Sequence, residues 1–159
     1  MTIPGGSYHV RRFRLEPGLA AKRRFNAQAT WWFGSFYDGY LKQYQLTGAW
    51  KPLSLFIVEF TGERDVGLML EGCFVHDVVG TRFRFNVSPD LQFASFVQYT
   101  GEPHAFGANT RLRWTFSPLG DLFVVYNHNL RTRDPLTLQR TLAFDSNTFL
   151  VKLQYAFRY

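Results

Sequence analysis

Apolar and polar residues alternate with a period of two along most of the chain. In the stretch FLVKLQYAFRY, the residues Phe149, Val151, Leu153, Tyr155, Phe157 and Tyr159 take every second position, and Lys152, Gln154 and Arg158 lie between them. The same rhythm predicts strands at Ser7–Leu15, Arg24–Phe33, Gly39–Trp50, Leu53–Thr61, Phe74–Val87, Leu91–Thr100, Ala108–Phe116 and Asp121–Arg131. In Arg24–Phe33, Phe25, Ala27, Ala29, Trp31 and Phe33 share one face and Asn26, Gln28 and Thr30 the other. In Gly39–Trp50, Tyr40, Tyr44, Leu46 and Trp50 oppose Leu41, Gln43, Gln45 and Thr47, and the lone charge Lys42 falls on the aromatic face. Short turns are expected at Lys51-Pro52, Ser88–Asp90 and Ser117–Gly120, and longer polar loops at Gly62–Gly72, Gly101–Gly107 and Thr132–Asn147.

These strands run to about 9–13 residues, against the five or six usual in soluble sheets and the 9–11 that a tilted strand needs to cross a bilayer. A bilayer core offers no water to a free backbone N–H or C=O, so β-structure spans it only as a closed barrel whose lipid-facing side is apolar. The pattern therefore predicts an all-β fold, an antiparallel up-and-down transmembrane β-barrel of about 8–10 strands, with short turns on one side and longer loops on the other. Residues 1–159 are read as a single barrel domain, which a piece of a longer chain would also fit. Tyr40, Trp50, Tyr126 and Tyr159 are expected in interfacial girdles. The aromatic last residue, with Leu153, Tyr155 and Phe157 at alternate positions before it, resembles the signal read by the outer-membrane barrel assembly machinery. Nine segments is an odd count, and bacterial single-chain barrels are even. Either Ser7–Leu15 does not span, or the segments belong to a larger barrel.

Composition sharpens this only in part. Seventeen Phe, eight Tyr and four Trp favour strands, and no apolar run approaches the roughly 20 residues of a spanning helix. One cysteine, Cys73, excludes an internal disulfide and a multi-cysteine zinc site. MTIPGGSYHVRR carries no secretory signal, so a processed or recombinant start is expected. The net charge of +6 admits nucleic acid, anionic lipid or acidic ligands. His9–Phe25 mixes basic and aromatic residues, yet a first strand with a basic turn at a headgroup surface accounts for it as well, and nucleic acid is not expected as a partner.

The candidate functional residues are cationic. Arg82 and Arg84, Arg111 and Arg113, and Lys152 and Arg158 lie opposite the apolar face of their strands, where they would line a lumen and attract anions, with acids such as Glu59 too few to neutralise them all. The alternative is a self-satisfied polar filling, as in small barrels. His9, His76, His104 and His128 have no metal-binding spacing, and no metal or cofactor is expected. Ser95, His128 and Asp121 make a hydrolase triad on paper but lack a nucleophile elbow, so no catalytic residue is assigned.

NTRLRW (Asn109–Trp114), SPLGDLFVVYN (Ser117–Asn127) and VKLQYAFRY (Val151–Tyr159), together with SFYDG (Ser35–Gly39), LEGCF (Leu70–Phe74) and SPDLQFASFVQY (Ser88–Tyr99), resemble in order the C-terminal barrel portion of a poorly characterised bacterial family. In that family a carbohydrate-binding-family-9-like domain precedes the barrel. The resemblance covers most of the chain and implies a non-enzymatic barrel in a Gram-negative outer membrane, with the lipid bilayer and the assembly machinery as partners. Neither the carbohydrate-binding domain nor the earlier part of that family's barrel has a counterpart in these residues, so a sugar-related role does not carry over. A soluble lipocalin-like barrel, binding an apolar or acidic small ligand, would show the same alternation with its faces reversed. Periodicity does not distinguish inside from outside.

Overall fold

The computed structural model describes residues 7, 9–20, 24–70, 72–101, 104–131 and 143–157. They form one antiparallel sheet of nine strands in sequence order: β1 (Arg12–Leu15), β2 (Phe25–Phe36), β3 (Gly39–Leu53), β4 (Phe56–Met69), β5 (Gly72–Asn86), β6 (Leu91–Thr100), β7 (Ala105–Ser117), β8 (Gly120–Arg131) and β9 (Ala143–Tyr155). Each strand hydrogen-bonds only to its neighbours in sequence, and β1 and β9 are not paired with each other. The all-β, up-and-down order is thus observed as an open meander. Closure is not.

Several boundaries differ from the sequence reading. Gly62–Gly72 is not a loop: it completes β4 and opens β5. Gly62 and Arg64 stand where apolar residues were expected, and these two positions hide the alternation that Val66 and Leu68 resume. Likewise β7 starts at Ala105 and β9 at Ala143, the latter obscured by a register shift where Leu130 pairs Phe144 after Asn129 has paired Ser146. The expected contrast between short turns and long loops therefore shrinks, because β2 to β3 and β4 to β5 also turn tightly. Ser7–Leu15 contributes only the short β1, although its backbone continues along β2 through Ser35 N–H to Arg11 C=O, Ala29 N–H to Pro17 C=O and Leu19 N–H to Ala27 C=O. Gly34 permits this approach: its φ is +152°, and a Cβ there would sit 2.0 Å from the Arg11 carbonyl oxygen.

Register carries the alternation across the sheet. Phe25, Trp50, Val58, Phe83, Ser95, Thr110, Tyr126 and Phe149 form one row of directly paired positions, and partners in an antiparallel pair share a face. This apolar face is the exposed one: Trp50 is 49% accessible, Tyr44 41% and Leu153 67%. The buried side chains Leu41 and Thr30 lie on the opposite, polar face. Aromatic rings fill the places of several glycines, Phe60 lying against Gly48 and Phe74 against Gly67. The accessible surface is 11733 Å², well above the roughly 8,200 Å² of a compact monomer of this mass. Little apolar surface is enclosed.

Candidate functional site

The polar face collects the candidate cations. Arg82 and Arg84 on β5 stand beside Glu59 on β4, the residue directly paired with Arg82. Arg84 Nη2 contacts Glu59 Oε1 and Arg82 Nη1 lies 3.8 Å from Oε2. On β7, Arg113 donates to both carboxylate oxygens of Asp121 on β8, Nε to Oδ1 at 3.2 Å and Nη2 to Oδ2 at 3.3 Å. The Thr115 hydroxyl donates to the same Oδ1 at 2.6 Å. The bidentate fork fixes the guanidinium plane. Arg82 and Arg113 also lie over the rings of Phe96 and Phe123, at 5.3 Å and 5.8 Å.

Acidic partners are therefore better placed than the sequence suggested, since Glu59 serves two arginines and Asp121 a third. Arg111 and Lys152 have no ion pair or hydrogen bond among the described residues. Arg111 pairs with Val125 and Ala94, and Lys152 with Phe123, so their register neighbours offer no charge. Arg158 and Tyr159 lie outside the described residues. Of the terminal signal, Leu153 and Tyr155 lie on the apolar face of β9 and Phe157 follows the strand, 77% exposed.

Toward the β8–β9 connection the polar face becomes rich in amides. Asn109 donates to Asn127, and Asn129 to the Ser146 hydroxyl at 3.1 Å. Arg131 pairs with Asp145 at 3.2 Å. The three asparagines, Arg131 and Asp145 line, with Gln98, an open cavity of about 490 Å³. Near β1, Arg12 and Arg14 lie 5.4 Å and 5.1 Å from the Trp32 ring, Arg14 pairing with Glu16. None of these groups was singled out by periodicity, because each becomes a site only through cross-strand register.

Polar residues on the apolar face are mostly paired with one another. The hydroxyls of Ser95 and Thr110 are 3.1 Å apart, His128 Nδ1 and Asn147 Oδ1 2.6 Å, and Arg64 Nε and Asp77 Oδ1 3.4 Å. Lys42 lies 5.8 Å from the Tyr40 ring. Tyr40 and Trp50 sit toward opposite ends of β3, and Tyr126 lies mid-strand in β8. Ser95 and His128 are on the apolar face and Asp121 on the polar one, so the three do not meet. Among the described residues, no three His, Cys, Asp or Glu side chains are grouped to hold a metal.

Comparison with protein families, with curated proteins and with solved structures returned no match.

Proposed function

We propose that this sheet forms part of the wall of a β-barrel in a bacterial outer membrane, with its apolar face to lipid and its charged face to a lumen, and that it acts without catalysis. The observation that carries this reading is the exposure of the apolar face together with the pairing of its polar exceptions. A face carrying Trp31, Tyr44, Trp50, Phe83 and Phe93 over the breadth of a nine-stranded sheet far exceeds the few hundred Å² that a soluble monomer exposes. Covering it with acyl chains removes that cost. Ser95–Thr110 and His128–Asn147 hydrogen-bond across strands and Arg64 stands beside Asp77, which lowers the cost of polar groups in hydrocarbon surroundings. From Tyr40 to Trp50 β3 advances about 33 Å, or about 25 Å at a 40° tilt, matching the apolar band of such barrels. The soluble lipocalin-like alternative needs the aromatic face inside, where it would be buried.

Within this reading the lumen is cationic, with Arg82, Arg84 and Arg113 held by acids and Arg111 and Lys152 available to anions. It serves either as a structural or anchoring wall or as a pore with an anion bias. Purified protein mixed with phospholipid vesicles should float with them through a density gradient in high salt and carbonate. Recovery of a soluble, monomeric protein at the bottom of the gradient would reject the membrane reading. Planar-bilayer recording divides the remaining roles: anion-selective current that falls in Arg111→Gln and Lys152→Gln supports the pore, and a silent bilayer the structural wall.

A further inference from the structure

The two edges of the sheet run in the same direction. Eight successive antiparallel steps separate β1 from β9, so the two strands are parallel, and among the described residues they make no contact. Joining them directly would place one parallel pair in an otherwise antiparallel sheet. The edge of β2 is not an alternative partner for β9, since residues 11–19 already cover it through backbone bonds at Ser35, Ala29 and Ala27.

Among the described residues, no strand pairs with the outer edge of β9. All but one of its residues are exposed, and Leu150, on the polar face, is 50% accessible, where Leu41 on the interior strand β3 is 6%. Its backbone groups alternate in direction. Ala156 N–H donates to Leu119 C=O, so counting back in twos turns Gln154, Lys152 and Leu150 toward β8 and leaves Leu153, Val151 and Phe149 facing the open side. Lys152 is paired directly with Phe123, and its diagonal neighbour on β8, Asp121, is already held by Arg113 and Thr115.

We infer that β9 is completed by a strand from outside these nine, running antiparallel to it, and that an odd number of such strands links β9 back to β1. Antiparallel order on both edges requires the odd number. A second copy in the same membrane orientation offers only another β1, parallel to β9, and so does not complete the sheet. The partner is therefore an extended polypeptide segment of distinct sequence. It enters from the end of the sheet that carries the β3–β4, β5–β6 and β7–β8 turns, apolar at alternate positions facing the Phe149–Val151–Leu153 side and polar on the other, with an acid or amide beside Lys152. The resulting barrel has at least ten strands and a wider lumen than a side-chain-filled eight. The inference rests on the membrane reading for the demand that no edge stay open in lipid, but its test reads strand pairing and not lipid binding.

The test uses the chain refolded in vesicles or detergent, in a Cys73→Ser background. Phe13→Cys is combined in turn with Phe149→Cys, Val151→Cys and Leu153→Cys and oxidised. A disulfide needs Cα atoms within about 7 Å, so no intramolecular bond is expected, and efficient formation of any of the three would overturn the inference by showing direct β1–β9 closure. A synthetic strand alternating valine and threonine, with one glutamate, is then added. It should slow hydrogen exchange at Phe149, Val151 and Leu153 by about tenfold or more. A cysteine near its N-terminus should cross-link to Leu153→Cys and not to Phe149→Cys, and a cysteine near its C-terminus the reverse. The opposite cross-linking pattern, or no slowing while the amides of β8 remain protected, would overturn the antiparallel assignment. Flotation on the same samples reports separately on the membrane reading.

Discussion

Arg64 on β4 and Asp77 on β5 are direct cross-strand partners on the apolar face, with Nε and Oδ1 3.4 Å apart. Tyr44 adjoins Arg64 from β3, and Gly62, two residues away, leaves the surface beside the pair open. In water such an exposed pair contributes about 0–1 kcal/mol. Against lipid, removing one partner strands the other charge where it is costly. In vesicles, urea unfolding should show Arg64→Leu and Asp77→Val each destabilising, with the double variant Arg64→Leu/Asp77→Val close to wild type. The coupling energy should exceed about 1 kcal/mol. A coupling near zero in vesicles would place the pair in water.

The polar face depends on Glu59. Replacing it with alanine leaves Arg82 and Arg84 side by side without their carboxylate. Loss of the Arg84 hydrogen bond and the longer Arg82 ion pair, both part-exposed, should cost about 1 kcal/mol, and Arg84→Gln in the same background should recover part of it. Equal stability of Glu59→Ala and wild type in denaturant titration would show that the contact contributes nothing.

Two glycines on β4 should respond oppositely. A Cβ on Gly67 would lie 2.0 Å from the Phe74 ring, whereas a Cβ on Gly62 meets nothing within 4 Å. Gly67→Ala is expected to destabilise by about 1–3 kcal/mol through overpacking. Gly62→Ala should be neutral or stabilising by up to about 1 kcal/mol, because it restricts the unfolded chain. Thermal or urea unfolding of the two variants checks the sign difference.

If the lumen conducts, Arg111 and Lys152 should govern its selectivity more than Arg113, whose charge is held by Asp121. Arg111→Gln/Lys152→Gln should lower the anion-to-cation permeability ratio further than Arg113→Gln, as measured by reversal potentials in a salt gradient. Cation selectivity of the wild type would contradict a cationic lumen.

Strand number, and which residues share a face, were legible in the sequence because period-two alternation survives wherever side chains alone set the face. Leu91–Thr100 was read with the boundaries the structure has. The second half of β4 was not, because Gly62 and Arg64 occupy the apolar face, where Arg64 pairs with Asp77 on another strand. The start of β9 was hidden by the register shift near Asp145, which breaks the period within the first residues of the strand. The cationic positions were legible one strand at a time, but their pairing was not. That Glu59 falls beside Arg82 and Arg84, and Asp121 within reach of Arg113, follows from hairpin register, which no single segment encodes.

Trp31 and Trp32 are adjacent in β2 and point to opposite faces, Trp31 stacking on Tyr44 and Trp32 lying beneath Arg12 and Arg14. Trp50 and Trp114 share the face of Trp31. Single-tryptophan variants, with the other three replaced by phenylalanine, can be reconstituted in vesicles whose acyl chains carry bromine, which quenches indole fluorescence on contact. The account requires strong quenching of Trp31 and little of Trp32, with aqueous iodide giving the reverse order. Equal quenching of the pair by bromolipid, or quenching of Trp32 alone, would contradict the assignment of the apolar face to lipid.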